Sequence, residues 1–193
     1  MARTVSIGAQ DFEEIISNNC FYVDKTAFIK EWWENKDKAT LITRPRRFGK
    51  TLNMNMLERF FSIKFKGRGQ VFKGLDIWQY EKYRELQGTY PVVFLTFADV
   101  KQANFNDAVK QIKANLWRLY EENRFLLGSE RISDFEKEEF KKVRTTMDDI
   151  TAQDAVRNLM QYLVHHYGKK VILLLDEYDT PLQEAYTGGY WEK

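Results

Sequence analysis

The stretch "KKVILLLDEYDTP" (Lys169–Pro181) is an unbroken aliphatic run that ends in acid. Valine, isoleucine and leucine without polar alternation predict a strand covered on both faces, as in parallel sheets. Upstream, "ATLITR" (Ala39–Arg44) reads as a short buried strand bounded by charge. "YPVVFLTF" (Tyr90–Phe97) reads as a further strand, with Pro91 tolerable only at its start. Amphipathic helices alternate with these strands. From Lys50, the residues Leu52, Met56 and Phe60 recur at four-residue spacing, with Leu57 and Phe61 in the next row. A long helix is expected over about Asn106–Leu126, with Val109, Ile112, Leu116 and Leu119 or Tyr120 facing inward. "SDFEKEEFKKVRTTM" carries a thinner stripe of Phe135, Phe140, Val143 and Met147 and reads as a surface helix. A last helix starts at a capping box of Thr151 and Asp154 and stops at Gly168. The pattern predicts an α/β fold, a mostly parallel sheet flanked by helices with right-handed crossovers.

Composition bounds the rest. A chain of 193 residues is enough for one domain, and its 44% hydrophobic and 15% aromatic content can build a core. Thirty Lys plus Arg face 28 Asp plus Glu, so the net charge of +2 gives no general case for nucleic acid or a membrane surface. A single cysteine, Cys20, excludes an internal disulfide framework and fits a reducing, cytoplasmic setting. The amino-terminal "MARTVSIGAQ" has no long apolar segment, so neither a signal peptide nor a membrane span is expected.

Ligands of open parallel sheets collect at the carboxyl ends of the strands. Two clusters fall there: "RPRRFGKT" (residues 44–51) and "DEYD" (residues 176–179). A polyphosphate needs backbone N–H groups, a mobile cation and a divalent metal. Gly49 permits close backbone approach, and the next helical turn offers N–H groups and a partial positive charge. Lys50 would reach the phosphates, and the Thr51 hydroxyl would be one Mg²⁺ ligand. Asp176 is placed for the metal's other protein contact, and Glu177 could polarise the attacking water. Asp179 reads either as a holder of metal-bound water or as a turn cap. The general loop formula wants a glycine where Arg44 stands, with Pro45 behind it. Proline pushes Arg44 toward extended geometry and lacks an N–H, and Arg46 and Arg47 can compensate by binding phosphate oxygens.

These blocks together resemble the prokaryotic AAA-ATPase-like family. "SIGAQDFEEIISNNCFYVDKTAFIKEW", "LITRPRRFGKTLNMNMLERFF", "FKGLDI", "YPVVFLTF" and "VILLLDEYDTPL" carry the resemblance across nearly the whole chain. It implies a P-loop NTPase-type fold over residues 1–193. It also implies a Walker A segment with Arg46, Arg47, Phe48, Gly49, Lys50, Thr51 and Leu52 around the nucleotide, and Walker B residues at Asp176 and Glu177. It further suggests that "YVDKT" (Tyr22–Thr26) lies near the nucleotide; by pattern alone that segment is a helix start capped by Asp24. In the family this domain is commonly followed by a PD-(D/E)XK nuclease-like domain. The chain is expected to be truncated after the Walker B strand, lacking the sensor strand and the nuclease-like part.

The expected function is Mg²⁺-dependent ATP binding and hydrolysis driving a conformational change, with Lys50 and Glu177 as catalytic residues. The alternative is a nucleotide-responsive binding or regulatory module without turnover, attached to a nuclease-like domain. Expected partners are a nucleotide, nucleic acid through the missing domain and a second copy of the chain, which is one source for an arginine at the transition state. The Lys64, Lys66 and Arg68 run reads either as a nucleic-acid contact or, as such runs more often are, as a solvated loop. His165 and His166 suit the carboxyl end of a helix and lack metal-ligand spacing. Of Trp32 and Trp33, one is expected in the core and the other partly exposed.

Overall fold

The structure, a computed structural model, describes residues 4–6, 8–43 and 48–192. It divides into two compact units, residues 1–92 and 93–193.

The first unit is helical. Helix α1 (Phe12–Ser17) is capped by the Asp11 side chain, which accepts from the Glu14 amide. Helix α2 (Ala27–Asn35) ends in a left-handed Lys36. Helix α3 (Lys50–Phe61) follows, and after a series of short 3-10 turns comes α4 (Glu81–Leu86). The periodicity of α3 is realised: Met56, Leu57, Phe60 and Phe61 are buried. Phe60 and Phe61 meet edge to face, Phe60 packs on Phe72, and Phe72 stacks on Phe12 of α1. Trp32 and Trp33 are both half-buried against Phe61, rather than one inside and one outside. Arg59 ties α3 to the start of α1 through Asp11 and Glu13.

The second unit holds the sheet, apart from Val92 at its edge. Strand β1 (Val92–Thr96) and strand β2 (Ile172–Asp176) run parallel, and the Phe97 amide donates to the Asp176 carbonyl at 3.0 Å. Between them lie α5 (Phe105–Glu122), α6 (Asp134–Lys142) and α7 (Asp149–Tyr167), and after β2 comes α8 (Thr180–Thr187). Val93, Leu95, Leu116, Leu119, Leu159 and Leu163 share the core. The long helix is therefore α5, ending a turn earlier than its apolar pattern, which runs on into a 3-10 segment at Arg124–Gly128.

Several expectations change. Residues 39–43 form no strand, and Leu41 is 64% exposed. Local β propensity does not suffice where no ladder partner pairs with the segment; its last predicted residue, Arg44, lies outside the described residues. The sheet among the described residues has two strands. Strand β2 is not covered on both faces, since Leu175 is exposed. The stripe of α6 is narrower than predicted: Phe140 is buried, with Val143 and Met147 just beyond, whereas Phe135 points to solvent. Helix α7 is capped by Asp148, whose carboxylate accepts from the Thr151 amide at 2.7 Å, so Thr151 is inside the first turn rather than at the cap. Gly168, with φ 65°, stops it as expected.

Candidate functional site

The predicted residues fall into two groups, one in each unit. Arg46 and Arg47, like Arg44 and Pro45, lie outside the described residues.

In the first unit, Gly49 adopts φ 74°, a left-handed conformation that favours glycine, and Lys50 opens α3 directly after it. The Gly49 carbonyl accepts the first intrahelical bond, from the Asn53 amide at 2.9 Å. The amides of Lys50, Thr51 and Leu52 accordingly have no acceptor within the helix. Gly49 supplies no side-chain cap, and no acidic residue occupies the first turn. Phe48 is exposed, while Lys50, Thr51 and Leu52 are half-buried. This end of α3 carries the positive end of a helix dipole with donors directed outward.

The "YVDKT" segment is packed on the same unit. Asp24 is not itself the N-cap of α2, a position held by Thr26. Instead, its Oδ1 accepts from the Thr26 amide at 2.8 Å and the Thr26 hydroxyl at 2.7 Å, and its Oδ2 accepts from the Asp76 amide at 2.8 Å. Thr26 is fully buried and its Oγ1 accepts from the Ile77 amide at 3.2 Å. The Tyr22 hydroxyl donates to Sδ of Met56 on α3 at 3.5 Å and accepts from the Lys25 amide at 3.3 Å. Burial pushes that phenol up to about 12, so it stays neutral.

In the second unit, Asp176 ends β2 and is 4% exposed. Glu177 follows with φ 51°, left-handed without being glycine. Its Oε2 accepts from the Thr180 hydroxyl at 3.1 Å, and its carbonyl accepts from the Thr180 amide at 3.0 Å. Asp179 stands at the N-cap position of α8 but gives no side-chain cap bond; it accepts instead from Gln183 Nε2 at 2.6 Å. Thr180 was not legible as a site residue, since threonine before proline ordinarily marks a helix start.

No group of three or more His, Cys, Asp or Glu among the described residues is arranged to hold a metal ion. The two histidines are occupied otherwise: His165 Nδ1 meets Glu136 at 2.8 Å, and His166 Nδ1 meets the Ser129 hydroxyl at 2.8 Å. Among the described residues no helix is long and apolar enough to cross a membrane.

Comparison with known proteins adds to this geometry. The family model described as "Predicted AAA-ATPase" matches residues 6–192. One curated relative is the "Uncharacterized protein in vnfD 5'region" of Azotobacter chroococcum mcd 1, 26% identical over 189 residues. That alignment covers 96% of this chain and 31% of the relative, so the chain spans about a third of that protein's length. No solved structure matches the chain.

Proposed function

This chain belongs to the AAA-ATPase-like family of predicted AAA-ATPases, and on that premise we propose that it binds ATP with Mg²⁺ and hydrolyses it, driving a conformational change. The observation that carries the reading is Gly49. Its left-handed backbone leads directly into a helix that begins Lys50-Thr51 and has no acid in its first turn, the local conformation a phosphate-binding loop needs.

In this reading the amides at the start of α3 receive phosphate oxygens, and the Lys50 ammonium follows them as a mobile point charge. Arg46 and Arg47 add bidentate donors, with Phe48 and Leu52 flanking the loop. Thr51 and Asp176 offer a hydroxyl and a buried carboxylate, hard oxygen donors of the kind Mg²⁺ prefers. When bound, Mg²⁺ would neutralise phosphate charge. Glu177 takes the proton of the attacking water, and the Thr180 hydroxyl fixes its carboxylate. A neighbouring copy can supply an arginine to the transition state, which would make the working form a homo-oligomer. A cytoplasmic setting, and nucleic-acid contact through a nuclease-like domain of the kind that commonly follows this domain in the family, belong to the same proposal.

The decisive measurement is melting temperature with and without Mg-ATP, for the parent and Lys50→Ala. Ligand at 100 times its dissociation constant adds roughly 2.7 kcal/mol, on the order of 5–10 °C for a chain of this size. The shift is expected in the parent and not in the variant. A folded parent that does not shift removes the proposal.

A further inference from the structure

The Lys25 ammonium ends 3.8 Å from the position a Cβ would take on Gly49. We propose that Lys25 is a second phosphate-binding cation of the nucleotide site, an inference that rests on Gly49-Lys50-Thr51 being the phosphate loop.

The backbone carrying Lys25 is pinned on both sides. Asp24 and Thr26 are tied to the amides of Asp76 and Ile77. The Lys25 amide itself donates to the Tyr22 hydroxyl, which in turn donates to Met56 of α3. Lys25 is therefore positioned relative to α3 by hydrogen bonds that make no use of its ammonium.

Lys25 is half-buried, and no carboxylate among the described residues pairs with its ammonium. The adjacent Asp24 carboxylate is committed to Thr26 and Asp76. Lys25 approaches the amino end of α3, which opens with Lys50 and has no acid in its first turn. A cation beside the positive end of a helix dipole is unfavourable by itself. An anion seated at Gly49 reverses the sign of every one of these interactions. Gly49 leaves that approach open because it has no side chain and its nearest virtual contact is the ammonium itself. An ammonium at Gly49 in addition to the lysine that opens α3 suits a polyphosphate, whose oxygens carry more than one charge to neutralise.

The experiment compares the parent, Lys25→Gln, Lys25→Arg and Lys50→Ala by calorimetric titration with Mg-ATP, together with the melting temperature of each without nucleotide. Lys25→Gln should weaken ATP binding tenfold or more, and Lys25→Arg should recover part of it. Without nucleotide, Lys25→Gln should melt at the parent's temperature or above, since it removes a repulsion. If Lys25→Gln binds ATP like the parent while Lys50→Ala does not, the role of Lys25 is overturned and the nucleotide site stands. If Lys25→Gln loses nucleotide-free stability along with affinity, Lys25 is a packing residue and the inference falls. If the parent binds no Mg-ATP, both readings fall together.

Discussion

The Thr180 hydroxyl donates to Oε2 of Glu177 at 3.1 Å while the Thr180 amide donates to the Glu177 carbonyl at 3.0 Å. These two bonds hold a residue whose left-handed backbone, φ 51°, costs a non-glycine residue about 1–2 kcal/mol. Thr180 is buried, so the bond that orients Glu177 comes from a fixed donor. Thr180→Val keeps the shape and removes the donor. It should cost about 1 kcal/mol, lowering the melting temperature by about 2–4 °C. ATP turnover should fall severalfold with the dissociation constant for ATP unchanged, and Thr180→Ser should restore it. Unchanged turnover in the valine variant would separate the hydroxyl from the placement of Glu177.

The sequence exposed those elements whose cause is local. Helix α3 follows from the spacing of Met56, Leu57, Phe60 and Phe61, and the end of α7 from Gly168. Strand β2 follows from five residues of aliphatic and acidic character, Ile172–Asp176. Elements that depend on partners were not legible. "ATLITR" has strand composition, but a ladder is a pairwise property and residues 39–43 make none. Asp148 and Thr151 both have capping chemistry, and only the backbone decides which stands outside the first turn. Among the candidate residues, glycine at 49 announces its own conformation, whereas glutamate at 177 has no preference for the left-handed region. The approach of Lys25 to Gly49 is a tertiary contact and leaves no periodic signal; only the resemblance carried by "YVDKT" suggested that this segment lies near the nucleotide.

Arg59 on α3 spans two carboxylates of the amino-terminal segment, Asp11 at 2.6 Å and Glu13, with its guanidinium over the Phe65 ring at 4.3 Å from the centroid. Its side chain is 16% exposed, so the pairs are screened less than on an open surface. Arg59→Ala removes both partners of α1 and the ring contact. The expected loss is about 1–3 kcal/mol, with faster amide hydrogen exchange in Phe12–Ser17 than elsewhere in the first unit. Arg59→Lys should fall between, because one ammonium cannot bridge two carboxylates in the same fork.

Glu136 closes the capping box of α6, accepting from the Ser133 amide at 2.9 Å and hydroxyl at 2.8 Å, and it meets His165 at 2.8 Å. Burial works to raise its carboxyl, but the Ser133 donors and His165 outweigh burial and hold it below its ordinary 4.5. A depressed carboxylate contributes stability above its unfolded value, and that contribution disappears as pH falls through the lower folded value. The acid limb of the melting curve below pH 4.5 should therefore steepen in the parent and flatten in Glu136→Gln. Near neutrality the variant should be less stable by about 1 kcal/mol, the usual worth of a cap.

Glu177→Gln tests whether turnover can be lost while binding is kept. Glutamine keeps the length of the side chain and can still accept from Thr180, so the local backbone and stability should stay near those of the parent. It cannot take a proton from water. Mg-ATP should therefore still raise the melting temperature of the variant, while phosphate release falls by 10²-fold or more, the order expected for loss of a general base. Equal phosphate release from parent and variant would remove Glu177 from the chemistry and leave ATP binding intact. Loss of the melting shift together with turnover would instead make Glu177 part of the binding surface.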